Sequence, residues 1–332
     1  MPLPVQRVLI LGGTGFVGRS TVARLLSDVG AGGLRITVPS RRPARAKVLA
    51  TLPGVELCEA DVHDPAALKQ LVAGHDAVLN LVAVLHATPD TFARVHVDLP
   101  QHLAEACMAT GAHRLVHVSA LGVPEDPRLA PSHYLRTKAE GESVLRTFTT
   151  DRQESHRLSL SILRPSVIFG ADDRFMRLFA HLQALAPVMP LAGAEARFQP
   201  VWVEDVASAL ARLLLSPAGT EPVIEAAGPQ VWTLRELVQA AGRWSGHPRW
   251  VIGVPDWVGR LQAALLGLLP GEPLLSADNL ASMHRPNVAT GRLPGLADLG
   301  IEPAGLASVM APLLGGQDPS HRFDLLREHA GR

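Results

Sequence analysis

A glycine-rich turn near the N-terminus constrains the fold of this chain more than any other feature. The apolar segment Arg7–Leu11 has the pattern of a buried strand, and three glycines follow it at the start of an amphipathic helix. Gly12 permits a tight turn, Gly15 lets the backbone approach a pyrophosphate at the helix N-terminus, and Gly18 lets the helix pack on the sheet. The turn therefore predicts a dinucleotide-binding site. We assign to the same site the residues between the glycines, Thr14, Phe16 and Val17.

Short strand-like segments alternate with helical patterns through the first half of the chain. Most of the six apolar segments lack polar alternation, as strands covered on both faces do: Arg7–Leu11, Arg35–Val38, Val55–Glu59, Ala77–Val82, Arg114–Val118 and Leu158–Leu163. The helical patterns between them are Val17–Ser27, Ala66–Val72, Thr91–Met108 and Tyr134–Arg146. This order predicts an α/β fold, a Rossmann-type doubly wound parallel sheet with a smaller, mainly helical C-terminal substrate domain.

The pattern changes after Pro165, where prolines, leucines and isolated strand-like pieces replace the regular alternation. The boundary is not a single point, because Val203–Leu215 has the pattern of another helix of the first domain and Val223–Ala226 that of another strand. We therefore predict two domains, a dinucleotide-binding domain over 1–165 with about 199–226, and a substrate-side domain over 166–198 with 227–332.

Basic residues follow the second strand at the position where an NAD-selective site offers a carboxylate to the adenosine ribose. The chain has Ser40, Arg41 and Arg42 there. A guanidinium pairs with phosphate through two hydrogen bonds and the serine adds a hydroxyl, so NADP(H) is favoured over NAD(H). The alternative is that both arginines are solvated residues at the start of a helix.

Two further groups follow strands that lead to the same edge of the sheet. Asp61 is placed to accept a hydrogen bond from the adenine amino group while Val62 packs on the ring; the alternative is that Asp61 caps the helix beginning near residue 65. Leu81, Val82 and Ala83 end the fourth strand and are placed to lie against the cofactor, with core packing as the alternative.

A serine, a tyrosine and a lysine form the candidate catalytic set. Tyr134 and Lys138 are four apart in a helical pattern and share one face, and Ser119 closes the fifth strand. In such a set the tyrosine exchanges a proton with a carbonyl or alcohol, the serine orients that oxygen, and the lysine holds the cofactor ribose. We expect the ammonium and an oxidised nicotinamide to lower the pKa of the tyrosine toward neutrality.

The residue types make this set specific. Tyr134 is the single tyrosine of the chain, and Lys138 is one of three lysines beside 28 arginines. A compact ammonium suits the tuning of a neighbouring pKa better than a guanidinium does. A retained but redox-silent site is the alternative, because a fold does not determine activity.

Together these motifs resemble the extended and atypical short-chain dehydrogenases. The segments 133–142 (HYLRTKAEGE), 164–170 (RPSVIFG) and 198–206 (FQPVWVEDV) resemble bacterial relatives of the NADPH-binding accessory subunit of respiratory complex I, over the chain to about residue 290. In that subunit the NADPH is structural, so the resemblance implies binding more strongly than turnover. It also implies that Pro165, Ser166 and Val167 lie near the nicotinamide.

The resemblance also suggests a substrate side. It implies that Arg197, Phe198 and Trp202 line the substrate side, with core packing as the alternative for the two aromatic residues. His86 flanks the expected cleft, where a polar rim explains it equally. One departure stands out, because extended reductases usually place in the helix after strand four an asparagine that anchors a relay water. Here the corresponding segment holds His96, so either this histidine relays the proton or the relay is absent.

Composition excludes several other classes of function. Lys+Arg and Asp+Glu number 31 each, so no broad positive field serves nucleic acid. Cys58 and Cys107 lack the spacing of a zinc site, the histidines are scattered, and no metal is expected. No uninterrupted apolar run reaches the roughly 18 residues of a membrane span. With strand one beginning near the N-terminus, we expect no signal peptide and a cytoplasmic protein.

Three functions remain open at this point. The first is NADPH-dependent reduction of a hydrophobic carbonyl or quinone-like molecule, and the second is a non-catalytic NADPH-binding accessory protein of a respiratory complex or quinone pathway. The third is a sugar-nucleotide epimerase or dehydratase. An apolar helical face over 255–269 with Leu274 and Leu275 suits covering an isoprenoid or quinone-like substrate or resting on a membrane surface, with packing inside the second domain as the alternative. The resemblance adds a peripheral contact with the inner membrane or a respiratory complex. The sequence does not indicate an oligomeric state.

Overall fold

The protein, seen as a computed structural model, is described over residues 5–30, 32–149, 158–216, 223–255, 257–259, 261 and 276–316. It divides into two compact units. The first unit consists of Met1–Pro165, Glu204–Ala226 and Thr290–Ile301. The second unit consists of Ser166–Val203, Ala227–Ala289 and Glu302–Arg332.

The described elements follow the predicted alternation. The strands are β1 Arg7–Leu11, β2 Arg35–Ser40, β3 Val55–Glu59, β4 Ala77–Asn80, β5 Arg114–Val118, β6 Ser159–Pro165, β7 Ile168–Phe169, β8 Val188–Ala192, β9 Arg197–Phe198, β10 Val201–Trp202, β11 Val223–Ala226, β12 Trp232–Thr233 and β13 Trp250–Val254. The α-helices are α1 Phe16–Val29, α2 Lys47–Ala50, α3 Pro65–Val72, α4 Pro89–Ala93, α5 Leu99–Thr110, α6 His133–Thr147, α7 Phe175–Leu185, α8 Val203–Leu215, α9 Leu234–Trp244, α10 Ala277–Ser282 and α11 Leu306–Leu314.

A seven-stranded sheet forms the centre of the first unit. Its order is β11-β6-β5-β4-β1-β2-β3, and every neighbouring pair is parallel. The strand order reverses between β1 and β4, which is the point where doubly wound sheets bind dinucleotides beyond the carboxyl ends of their strands. The predicted Rossmann-type fold is therefore confirmed, and β11 extends the sheet as the sequence pattern suggested.

The central strands are apolar because helices cover both faces of the sheet. The side chains of Leu9 and Leu11 on β1 and Val78 on β4 are fully buried, in one cluster with Leu103 of α5 and Leu115 of β5. Burial of apolar surface at about 25 cal/mol per Å² makes such a cluster the main stabilising contribution of the unit. It fixes the ends of β1, β4 and β5, where the candidate site residues lie.

The predicted helix Thr91–Met108 contains an irregularity. A π-helical turn over Arg94–Asp98 joins α4 to α5, and the Leu99 amide donates to the Arg94 carbonyl five residues earlier. Pro100 has no N–H to offer the carbonyl four residues before it, so the regular pattern cannot pass this point. Such turns occur frequently at functional sites, and this one carries His96.

One segment differs from the predicted domain division. The sequence analysis assigned 290–301 to the smaller domain, whereas these residues group with the first unit. The Glu225 amide donates to the Pro294 carbonyl at 2.8 Å, and the Glu225 carboxylate accepts from the Thr290 amide at 2.7 Å. A returning segment of this kind has no periodic pattern, so nothing in its sequence indicated the contact.

The second unit combines helices with short strand pairs. Leu237 and Ala241 of α9 pack with Met176 and Ala180 of α7 and with Met310 of α11. Strands β8 and β13 run parallel beside them. No helix in the described part of the chain is both long and apolar enough to span a membrane. The apolar face predicted over 255–269 with Leu274 and Leu275 lies mostly outside the described residues.

Candidate functional site

The glycine-rich turn has the backbone geometry that its sequence predicts. Gly12 has a φ of 80°, and a Cβ on it would stand 3.2 Å from Leu81. A Cβ on Gly18 would stand 2.5 Å from the Cα of Gly13, so α1 packs directly on the turn. Any larger residue is strained at each of these positions, in agreement with the roles expected for the first and last glycines of the motif.

The N-terminus of α1 fits a pyrophosphate. Gly15 is the N-cap residue and supplies no side chain to the first amides of the helix, and the first turn contains no acidic residue. Those amides need an acceptor, and the helix dipole favours an anion there. The sequence analysis missed Arg19, which follows the last glycine and donates to the Thr14 carbonyl at 3.1 Å. An exposed guanidinium at the same turn adds to the positive potential.

Both arginines after β2 are exposed. Ser40 is half-buried and its Oγ accepts from the Arg42 amide at 3.2 Å. Within the part of the chain that the structure describes, neither the Arg41 nor the Arg42 guanidinium has a hydrogen-bond or ion-pair partner. Burial lowers the pKa of the neighbouring His63, while Asp61 raises it and the Arg41 charge lowers it. This end of the sheet therefore presents guanidinium groups that can bind a phosphate.

The structure separates the alternatives for Asp61. Asp64, not Asp61, is the N-cap of α3, because its side chain accepts from the Ala66 amide at 3.0 Å. Asp61 is exposed and accepts from the His63 amide at 3.1 Å, which leaves carboxylate capacity for a ligand. The helix-cap alternative for Asp61 is therefore wrong.

The apolar residues predicted beside the cofactor are partly core residues. Val62 and Val82 both pack against the buried cluster of the first unit and remain half-exposed. Leu81 is half-buried against Gly12, and Ala83 is exposed. These positions border the glycine turn, so packing and cofactor contact are compatible for them.

Ser119 and Lys138 meet at the end of β5. The Lys138 ammonium, which is almost fully buried, donates to the Val118 carbonyl at 3.0 Å, immediately before Ser119. Ser119 is buried, and its Oγ forms no hydrogen bond of normal geometry with the described residues. It stands close enough to Glu142 to lower the pKa of that carboxyl, so a ligand oxygen would compete with Glu142 for the serine hydroxyl.

Tyr134 lies one helical turn before Lys138 on α6. Ser132 caps this helix by accepting from the Leu135 amide at 3.1 Å. The half-buried tyrosine ring stands edge-to-face against His96, with centroids 5.5 Å apart, and against Phe92 at 6.3 Å. Burial raises the pKa of Tyr134 to about 12. This differs from the expected lowering by Lys138, because loss of solvation has the larger effect, and it keeps the phenol protonated at neutral pH.

His96 is a fixed neutral histidine. Its Nε2 accepts from the Val84 amide at 3.2 Å, so the ring proton lies on Nδ1, which contacts Thr137 Oγ1 at 3.0 Å. Burial and, to a smaller extent, the Lys138 charge lower the pKa of His96 to about 2. Both ring nitrogens are occupied, so the geometry gives His96 a role in joining the π turn to α6 and not in relaying a proton.

The sequence analysis also missed a buried ion-pair network behind the set. The Glu142 carboxylate accepts from Arg164 Nε at 2.8 Å and from its terminal nitrogen at 2.6 Å, and from Arg146 at 2.7 Å. Asn80 and His117 form a second buried contact of 3.2 Å between β4 and β5. Glu142 and Arg164 are 22 positions apart in the sequence, so helix periodicity does not predict this pairing.

The residues predicted near the nicotinamide have protein partners. The Pro165 carbonyl accepts from the Leu121 amide at 2.9 Å. In the second unit, Ser166 Oγ contacts the Asn287 side-chain oxygen at 2.7 Å, and the Val167 amide donates to that same oxygen at 3.0 Å. Asn287 was not identified from the sequence, because it lies 121 residues after Ser166.

The substrate-side candidates lie in different environments. Phe198 and Trp202 both pack against the buried cluster of the second unit, as the core alternative expects, and Arg197 is exposed. His86 is half-buried, with an Nδ1 that has no partner among the residues described. Across the described ranges, no group of three His, Cys, Asp or Glu side chains could hold a metal ion.

Comparisons with known proteins agree with this geometry. A model described as the NAD dependent epimerase/dehydratase family matches residues 8–226. NADH dehydrogenase (ubiquinone) 1 alpha subcomplex subunit 9, mitochondrial, of Rattus norvegicus is 30% identical over 310 residues, which are 90% of this chain and 76% of the relative. Ceramide reductase of Caulobacter vibrioides is 30% identical over 250 residues, 75% of this chain and 74% of the relative.

A solved structure shares the fold. The NADPH-dependent quinone oxidoreductase of Escherichia coli complexed with NADPH aligns with a TM-score of 0.65 at 23% identity, covering 91% of this chain and 97% of that one. The resemblance to the complex I accessory subunit is confirmed by the rat relative. Since the family model covers well over half of the sequence, the chain belongs to the NAD dependent epimerase/dehydratase family and has its NAD(P)-binding Rossmann fold.

Proposed function

We propose that this protein is an NADPH-dependent reductase of a hydrophobic carbonyl or quinone-like small molecule. The observation that carries the proposal is the hydrogen bond from the buried Lys138 ammonium to the Val118 carbonyl at 3.0 Å, next to the buried Ser119 at the end of β5. Tyr134 lies on the same face of α6 as the lysine. These are the groups that a carbonyl reduction needs around one oxygen atom.

Each side chain has one role in the proposed reaction. Bound NADPH would supply a hydride to the carbonyl carbon. Ser119 donates a hydrogen bond to the carbonyl oxygen and orients it. Tyr134 is protonated at neutral pH, and it transfers its proton to that oxygen as negative charge develops. Lys138 binds the cofactor ribose and stabilises the phenolate left behind.

The preference for NADP(H) rests on the exposed side chains after β2. Arg41 and Arg42 offer guanidinium groups without acidic partners among the described residues, and Ser40 offers a hydroxyl. We expect the Arg41→Ala, Arg42→Ala double variant to bind NADPH roughly tenfold more weakly or worse, with little change for NADH. Arg24→Ala, which removes a guanidinium paired with Asp28 on α1, is the matched control. Equal affinities for NADPH and NADH in the wild type would contradict the preference.

A hydrophobic substrate is favoured by the names of two of the compared proteins. The ceramide reductase relative and the quinone oxidoreductase neighbour agree with this class by the names they carry.

The experiment is a panel of carbonyl and quinone substrates with UDP-glucose as the sugar-nucleotide arm. NADPH oxidation is followed with the wild type, Tyr134→Phe and Ser119→Ala, and NADPH binding is measured in parallel. We expect Tyr134→Phe to lose at least 100-fold in rate while binding NADPH normally. Equal rates for the wild type and Tyr134→Phe would contradict the catalytic assignment.

A second candidate is a non-catalytic NADPH-binding accessory protein of a respiratory complex. The rat relative and an exposed apolar surface on the second unit favour it. Trp250 is 82% exposed on β13 and Ile252 is 51% exposed two residues later, on the same side of the strand pair as the exposed Val188. Tight NADPH binding without oxidation of any substrate would support this candidate. Co-purification with a respiratory complex, abolished by Trp250→Ser with Ile252→Ser, would establish it.

Cytoplasmic location with a peripheral contact at the inner membrane is part of the same proposal. An exposed tryptophan beside basic residues such as Arg249 suits an anionic membrane surface or a membrane-bound partner. Fractionation of cells is the test. Recovery of the protein in the periplasm would contradict it, and release from membranes by high salt would support a peripheral contact.

A further inference from the structure

A fully buried carboxylate lies one turn beyond Lys138 on α6. The Glu142 side chain is 0% exposed, and both of its oxygens accept hydrogen bonds from arginine. Arg164 of β6 binds both oxygens, and Arg146 of α6 binds one of them at 2.7 Å. A buried carboxylate with three donors at these distances stays ionised, and Arg164 holds the pKa of Glu142 below its usual range against the effect of burial.

Lys138 is surrounded by groups that differ in charge. His117 of β5 and His96 of the π turn both stand near it, and burial lowers the pKa of the first to about 3 and of the second to about 2. Both imidazoles are therefore neutral at physiological pH, and so is Tyr134 on the same helix. Burial lowers the pKa of Lys138 and the Glu142 charge opposes this effect, with a net pKa of about 8. The carboxylate therefore favours the ammonium form of the lysine.

Within the described residues the Glu142 carboxylate binds the two arginines and not the lysine. With both Glu142 oxygens held by Arg164 and Arg146, Lys138 Nζ donates to the Val118 carbonyl. An ammonium has three donors, so two remain for ligand oxygens. A direct ion pair with Glu142 would use one of them. The network thus supplies negative charge to the lysine while leaving its donors free.

We propose that Glu142 is a positioning residue that keeps the buried Lys138 as an ammonium able to bind the cofactor ribose, and that Arg146 and Arg164 set the strength of this effect by sharing the charge of Glu142. The inference rests on the proposed function only in assigning Lys138 to the cofactor. It needs no turnover, because the charge of the lysine affects binding before any chemistry takes place.

The test is the pH dependence of NADPH binding between pH 6 and 10. Lys138→Met identifies the part of the profile that belongs to the lysine. In Glu142→Gln, which keeps the shape of the side chain and removes its charge, we expect the midpoint of that part to fall by about one pH unit or more. In Arg146→Met we expect the midpoint to rise, because the carboxylate then acts on Lys138 with less compensation. Glu140→Gln, on the same helix, is the matched control.

Opposite shifts of the binding midpoint in Glu142→Gln and Arg146→Met distinguish this role of Glu142 from a purely structural one. A purely structural Glu142 would lower thermal stability in both variants without moving the midpoint, and shifts of the same sign would also overturn the proposal. The Arg146 side chain is 42% exposed, so Arg146→Met decides the question even where Glu142→Gln fails to fold. Absence of NADPH binding by the wild type at every pH would instead refute the proposed function itself. Binding without these shifts would refute only the role of Glu142.

Discussion

Substitution of Gly18 by alanine tests how closely the first helix packs on the cofactor turn. The added Cβ would stand 2.5 Å from the Cα of Gly13 and 2.6 Å from the carbonyl oxygen of Gly12. Both neighbours are backbone atoms of the turn, so no side-chain rotation can relieve the contact. Ordinary contact would require the helix and the turn to separate by about 1 Å.

The expected magnitude follows from this overlap. Overpacking by one methyl group costs roughly 1–3 kcal/mol, and here the displaced atoms carry the amides offered to the pyrophosphate. If this energetic cost makes the free energy of cofactor binding less favourable by the same amount, the dissociation constant for NADPH rises roughly 5- to 150-fold. A hydrogen bond to a charged group contributes about 1.5–3 kcal/mol, so loss of a single amide–phosphate contact gives a change of the same size.

The assay is titration of NADPH fluorescence with wild type and Gly18→Ala, with circular dichroism to verify the fold. Gly295→Ala is the matched control, because a Cβ there meets its nearest neighbour at 3.7 Å and leaves the cofactor turn untouched. We expect the control to bind like the wild type. A folded Gly18→Ala protein with wild-type affinity would refute the placement of the pyrophosphate at this turn.

Two further predictions concern buried titratable groups. Burial raises the pKa of Asp173 to about 6, so ionisation of this carboxyl above pH 6 destabilises the folded state. In denaturant unfolding, Asp173→Asn should therefore raise the free energy of unfolding by at most about 3 kcal/mol at pH 8 and change it little at pH 4. Burial lowers the pKa values of His96 and His117 in the folded state to about 2 and 3, far below the value in the unfolded chain. Their ring resonances in NMR spectra should therefore not titrate between pH 5 and 8. The free energy of unfolding should fall as the pH drops below about 6.5, because the unfolded chain then binds protons that the folded protein does not. A histidine signal from either ring with a midpoint near 6.5 would contradict its buried environment.

Local patterns predicted what depends on neighbours along the chain. The glycine turn, the parallel strands and the helix carrying Tyr134 and Lys138 each follow from periodicity or from residues a few positions apart, and the structure has them with small changes in length. The predicted Ala77–Val82 strand ends at Asn80, whose side chain accepts from the Val82 amide at 3.1 Å. Such a side-chain contact turns the backbone out of the sheet, and alternation alone does not reveal it.

Contacts between distant residues were not predictable in the same way. The pairing of Glu142 with Arg164 joins a helix to a strand, and the contact of Ser166 with Asn287 spans 121 residues. In both pairs the partners lie in different elements, and no periodic pattern in a single sequence indicates that they are in contact. The sequence also did not predict that the pKa of Tyr134 is raised, because this shift depends on how far neighbouring elements exclude water from the phenol.

The most direct measurement is an experimental structure of the protein crystallised with NADPH. We expect the pyrophosphate to accept hydrogen bonds from backbone amides between Gly12 and Gly18. The reactive carbon of the nicotinamide should face the substrate position beside the Ser119 and Tyr134 hydroxyls, and Lys138 should contact the adjoining ribose. Density for the cofactor away from this turn, or a nicotinamide ring directed away from Tyr134, would refute this mode of cofactor binding.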